Sequence, residues 1–350
     1  MNWSIGMSMK SPRLSVFGAL CLMTSGLACG GTPPPPPDSA LVADPPPSDG
    51  TPGEGLSEMD RGIAYVAQEE WEEAKVHFDE AIASMPKNGE AHYYLAVTQL
   101  NLGHAAAAEE SFRKAVELDS DLYLARAQLG ALYAGSEPPR CEQALEVLLP
   151  ALESIPDKPE EKSLRADTES YVGFCFWDGK KYEEATTHYE ASLAAEDLPN
   201  TRLALGSMLL EAKKNAAAVP HFEAYAKTVE KDPKQLVKLG QTLARAGAPD
   251  KCVEMLDKAI ALDEAKVPLL IRGRCKLQNE DAEGARGDFT KALELDNRFQ
   301  DAYFFMGVAW LESNNRPKAA EAFQQVIRID KTTKVAKAAQ QRLESLAKKR

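Results

Sequence analysis

Small residues recur along this 350-residue chain at Gly62, Ala96, Gly130, Gly173, Gly206, Gly240, Gly273 and Gly307, at intervals of 34, 34, 43, 33, 34, 33 and 34. A second small column follows twelve residues later, or fourteen in the third copy: Ala74, Ala108, Ala144, Ala185, Ala218, Cys252, Ala285 and Ala319. Four residues further on stands a large side chain: Phe78, Phe112, Leu148, Tyr189, Phe222, Leu256, Phe289 and Phe323. A period held in register over seven intervals restricts the chain to stacked copies of one unit. Short side chains let two helices approach closely, and a large residue one turn along the same face fills the gap beside them.

The period and its columns resemble the tetratricopeptide repeat, a helix-turn-helix unit, over eight copies spanning residues 55–333. The resemblance implies an all-α fold, a right-handed superhelical solenoid of about eight such repeats plus a C-terminal capping helix over 334–350. Repeat ends are expected at Met85-Pro86 and Ile155-Pro156, and at Leu118-Asp119, Leu262-Asp263, Leu295-Asp296 and Ile329-Asp330. Turns between paired helices are expected near Asn101-Leu102-Gly103, Asp178-Gly179, Ala246-Gly247 and Asn314-Asn315, because glycine and asparagine tolerate the left-handed backbone that ends a helix. The irregular interval adds two residues around Glu137-Pro138-Pro139 and about seven between Asp157 and Arg165, which predicts a loop or a lengthened helix.

In the final segment Val335, Ala338, Ala339, Leu343 and Leu346 recur at helical spacing, with Lys334, Lys337, Gln341, Glu344 and Lys348 directed elsewhere. That is the polar cover a terminal repeat requires. Lys348, Lys349 and Arg350 suit the negative end of a helix dipole.

At the other end, Lys10 and Arg13 precede an apolar run through Leu14, Val16, Phe17, Leu20, Leu22 and Met23, which reads as an export signal over residues 1–28. It closes on Gly26-Leu27-Ala28-Cys29-Gly30, which resembles a bacterial lipobox. Ala28 fits; Gly26 departs from the usual leucine. The resemblance implies lipidation of Cys29, against simple signal cleavage, and an outer-membrane lipoprotein facing the periplasm. Residues 29–54, with Pro33 to Pro37 and Pro45 to Pro47, read as a disordered Pro-rich tether.

The net charge of −12 argues against general nucleic-acid binding, where basic surface supplies most of the affinity. Beyond Cys21 and Cys29 remain Cys141, Cys175, Cys252 and Cys275, with no zinc-type spacing, so no metal is expected. A hairpin about Asp263-Glu264 brings Cys252 and Cys275 roughly level. Cys141 and Cys175 have a similar relation across the irregular loop, so each pair is a candidate disulfide in an oxidising compartment. The alternative is a set of small buried thiols. His77, His188 and His221 each stand immediately before the large column, which marks a structural, half-exposed position. No catalytic fingerprint is present, so no enzyme activity, cofactor or small-molecule substrate is expected.

The resemblance also implies that first helices line a concave groove. Its inward positions here include Met59, Ile63, Val66, Tyr93, Tyr94, Val97, Leu100, Tyr171, Phe174, Trp177, Leu203, Leu210, Leu270, Phe304, Phe305 and Val308, about half of them expected to pack on neighbouring helices. Tyr93, Tyr94, Phe174 and Trp177 suit an apolar peptide or helix. The clamp by which tetratricopeptide co-chaperones hold an acidic C-terminal peptide is missing from the first three repeats, where Met59, Ile63, Tyr94, Leu124 and Gln128 stand. The expectation is a non-catalytic adaptor of the bacterial cell envelope, anchored to membrane by lipid and binding an envelope protein or peptide. Two narrower roles compete: an assembly factor for a type IV pilus secretin, and an allosteric activator of a peptidoglycan synthase.

Overall fold

In a computed structural model of the chain, residues 57–348 are described. The signal, Cys29, the tether, Lys349 and Arg350 lie outside them. Seventeen α-helices are present among the described residues, and no strand. They run α1 (Glu58–Ala67), α2 (Trp71–Ser84), α3 (Gly89–Asn101), α4 (Ala105–Leu118), α5 (Tyr123–Ala134), α6 (Cys141–Ser154), α7 (Lys162–Asp178), α8 (Tyr182–Ala195) and α9 (Pro199–Glu211). There follow α10 (Asn215–Ala226), α11 (Pro233–Arg245), α12 (Pro249–Leu262), α13 (Lys266–Gln278), α14 (Ala282–Leu295), α15 (Gln300–Glu312), α16 (Arg316–Ile329) and α17 (Lys334–Lys348).

The chain divides into two compact units, with the boundary at Met208 and Leu209 inside α9. In the first, α1 packs on α2, α3 on α4, α5 on α6 and α7 on α8; α2, α4 and α6 each also touch the next pair. In the second, α11 packs on α12, α13 on α14 and α15 on α16, successive first helices touch one another, and α17 covers α16.

The glycine and large columns explain each pair. A methyl group on Gly62 would sit 2.5 Å from Cε1 of Phe78, one on Gly273 2.5 Å from Cε1 of Phe289, and one on Gly307 2.6 Å from Cε1 of Phe323. Leu148 and Leu256 fill the same space against Gly130 and Gly240. At these glycines the large side chain of the second helix, ring or isobutyl group, lies directly on the backbone of the first. All eight large residues are buried, as are the small residues one turn before them. Full burial of each large apolar side chain contributes about 1.5–3 kcal/mol.

The turns repeat as well. Glu69, Gly103, Lys180, Lys213, Gly247, Glu280 and Asn314 all take positive φ, between 57° and 78°, and each stands seven residues after its small-column residue. At Asp178-Gly179 the expectation shifts by one or two places, because Gly179 has φ −74° and the left-handed residue is Lys180. The third pair departs from the pattern: its turn runs over residues 135–140, where the two extra residues fall. The remaining insertion forms a 3-10 turn, Pro159–Glu161, leading into a lengthened 17-residue α7. In α17 Ala336 and Ala339 are buried, and Val335, Leu343 and Leu346 pack as expected against the cluster that holds Ala319, Phe323 and Val326; Ala338 is only half-buried, and Ala336 takes the buried place beside Ala339.

Candidate partner-binding surface

The expected groove residues separate into two groups. Tyr93, Tyr94, Val97, Tyr171, Phe174, Trp177 and Leu270 are buried, none more than 8% exposed. Met59, Ile63, Leu203, Leu210, Phe304 and Phe305 are half-buried and reach the surface. The aromatic platform expected from Tyr93, Tyr94, Phe174 and Trp177 is therefore corrected: these side chains are core. Tyr94 stacks on Phe78 with centroids 5.6 Å apart, and Tyr93 meets Phe112 at 6.0 Å, so each ties one pair's first helix to a large-column ring. In the last pair Phe304 lies 5.5 Å from Phe323 and edge-on to Phe305 at 5.4 Å, with both rings still partly open.

Charged side chains also line the first helices, and the apolar reading of the sequence passed over them. On α11, Lys234, Lys238 and Arg245 are exposed. On α13, Arg274 is exposed with its guanidinium 4.8 Å from the centroid of the Phe305 ring. Three further cations of α13 are committed within the fold. Arg272 donates to the buried Asp288, Nη2 to Oδ1 at 2.5 Å and Nε to Oδ2 at 3.0 Å; Lys276 reaches Asp288 at 3.0 Å, and Lys266 reaches Asp296 at 2.6 Å. The Lys266 contact and the Arg298 backbone hold the Asp296 carboxyl below the usual aspartate range.

Cys252 and Cys275 are joined by a disulfide, linking α12 to α13. Cys141 and Cys175 are free thiols in this structure, so of the two candidate disulfides this one is not formed and the alternative of free thiols holds. A hydrogen bond between them, together with burial, raises the Cys175 thiol far above its ordinary range.

The histidine position preceding the large column makes a repeated contact. His77 Nδ1 lies 2.6 Å from Glu58 Oε2 and its ring stacks on Tyr65; His188 Nδ1 lies 2.6 Å from Glu169 Oε2 and its ring stacks on Phe176. His77 holds the Glu58 carboxyl below the usual glutamate range. Glu80 adds a third donor atom, and among the described residues Glu58, His77 and Glu80 are the group whose donors lie within 4.8 Å of one another. Glu58 is already engaged by Arg61 and His77, so the cluster reads as an ion-pair network between α1 and α2.

No helix among the described residues is long and apolar enough to cross a membrane. Residues 59–123 and 270–332, which hold most of α1 to α4 and of α13 to α16, match the tetratricopeptide repeat family. No curated protein matches the chain. Similar solved structures include a tetratricopeptide repeat protein from Parabacteroides merdae, 15% identical, covering 75% of this chain and 97% of that one with a TM-score of 0.46. Pseudomonas aeruginosa PilF is 20% identical over 72% of this chain and 96% of its own, with a TM-score of 0.43, and yeast Tom70 is 15% identical over 87% and 67%, with a TM-score of 0.40.

Proposed function

Taking its helix pairs as tetratricopeptide repeats, a unit that commonly mediates protein–protein interaction, we propose that this protein is a non-catalytic adaptor of the bacterial cell envelope. It is exported, anchored in the outer membrane through Cys29, and held off the membrane by the Pro-rich tether. The observation that carries the binding role is the half-buried apolar set on first helices, Met59 and Ile63 in the first pair and Phe304 and Phe305 in the last. A helix face closed on itself would bury them, and a docking face leaves such side chains partly open. The secretin-assembly and synthase-activator roles are narrower forms of this reading, separated by whether a deletion strain mislocalises secretin multimers or the purified protein changes synthase turnover.

The test is a membrane-fractionated pull-down of the full chain with Cys29→Ala as control, bound proteins being identified by mass spectrometry. One envelope protein should be recovered with the membrane fraction and lost from that fraction in the variant. Absence of any specific partner from either form would sink the adaptor reading.

A further inference from the structure

The protein carries a net charge of −12, yet α11 and α13 together hold seven cations and not one acidic residue. Three of the seven, Lys266, Arg272 and Lys276, are neutralised by acids of α12, the α14–α15 connection and α14. The other four, Lys234, Lys238, Arg245 and Arg274, make no ion pair among the described residues, and all are exposed. Three of them lie on one stripe of α11. Steps of four and seven residues put Lys234, Lys238 and Arg245 on a single face, over about 16 Å of helix. That face is opposite the buried Leu236, Leu239 and Leu243. The α13 helix touches α11, so Arg274 extends the positive surface onto the neighbouring first helix.

Cations without partners on a negatively charged protein are not needed for its solubility, and mutual repulsion along a helix face costs stability. Apolar surface accompanies them. Val267 is 45% exposed on α13, and Phe305 on α15 is half-open beneath Arg274. We propose that the face of α11 and α13 docks an acidic segment of a partner protein, with Asp or Glu side chains along the stripe and an apolar residue against Val267 and Phe305. This inference rests on the adaptor reading and names the chemistry of its partner. Charge complementarity selects the occupant. Cations distributed over three helical turns match a run of carboxylates along a chain, whereas a single terminal carboxylate would use only one end of the stripe.

The experiment uses the full chain and a short fluorescent acidic peptide containing two leucines, amidated at its C-terminus, followed by anisotropy. The peptide should bind, and binding should weaken as salt rises from about 50 mM to about 500 mM. The K234E/K238E/R245E variant should lose about tenfold or more in affinity and acquire binding to the mirror peptide carrying lysine in place of each acid. Circular dichroism reports its fold, and if the reversed charges unfold it, K234Q/K238Q decides with a smaller loss in the same direction. Equal binding of the acidic peptide by wild type and folded variant would overturn the proposal. So would wild-type binding of phosphatidylglycerol vesicles without binding of the peptide, which would assign the stripe to a membrane. Capturing the same envelope partner equally well with the reversed-charge variant leaves the adaptor standing and removes the acidic segment. Peptide binding without any envelope partner does the opposite.

Discussion

At the scale of single residues, the small columns are tight because a ring or isobutyl group rests on backbone. Gly240→Ala would drive a methyl group into Leu256, while Gly287 in α14 has open space around the same position. We expect Gly240→Ala to destabilise the protein by about 1–3 kcal/mol through overpacking and Gly287→Ala to stabilise it by about 0.5–1 kcal/mol, both read from urea midpoints. These columns were legible in the sequence because steric need leaves few residue types. The left-handed turn column was legible at Gly103, Gly247 and Asn314, but not at Glu69, Lys180, Lys213 and Glu280, where the residue type gives no sign of it. A non-glycine residue there costs roughly 1–2 kcal/mol, an expense the packed pair on either side outweighs. Glu280→Gly should therefore raise stability by about 1 kcal/mol. It also removes a charge that, after burial, helps raise the Glu312 carboxyl above its ordinary range. An unchanged urea midpoint would mean that the turn is not strained.

At the scale of helices, the errors and successes of the sequence reading have one source. First-helix inward positions serve both a partner and the neighbouring pair, and spacing cannot tell which. Phe174 and Trp177 look like contact residues by position but are 6% and 4% exposed. Replacing either by alanine should cost about 3–5 kcal/mol in stability, visible as a lowered thermal midpoint; loss of partner capture with stability intact would return them to the surface. Cohesion between pairs also draws on charge. Arg140, at the start of α6, donates two hydrogen bonds to Glu109 of α4, at 2.9 and 2.8 Å, and holds its carboxyl below the usual glutamate range. A depressed folded value means that the contribution is present above the ordinary glutamate range and disappears as pH falls through the folded one. Glu109→Gln should thus destabilise by about 0.5–1 kcal/mol near neutral pH, reduced by partial solvent screening, with the difference vanishing in acid as Glu109 protonates in the folded protein. A pH-independent difference in urea midpoint would assign the effect to packing.

At the scale of the whole chain, number and order of helix pairs could be read from the period, while the positive stripe on α11 and α13 could not, because which cations stay unpaired depends on the acids that neighbouring helices bring to them. The Cys252–Cys275 bond closes a loop of 23 residues' separation between adjacent pairs. Its removal by Cys252→Ala with Cys275→Ala should lower stability by about 3 kcal/mol, measured in urea under non-reducing conditions; no loss would mean the thiols are free in solution. Where the small column is glycine, as at Gly62, Gly130, Gly173, Gly240, Gly273 and Gly307, the large side chain that meets it belongs to the same pair, Phe78 on Gly62 and Phe323 on Gly307 alike. A gene segment encoding one complete period can therefore be duplicated or lost without opening a hole in what remains, whereas a cut through the middle of a period strands a ring with no floor beneath it. The lineage of such a chain is free to change its length only in whole steps, and its reach toward a partner changes with it.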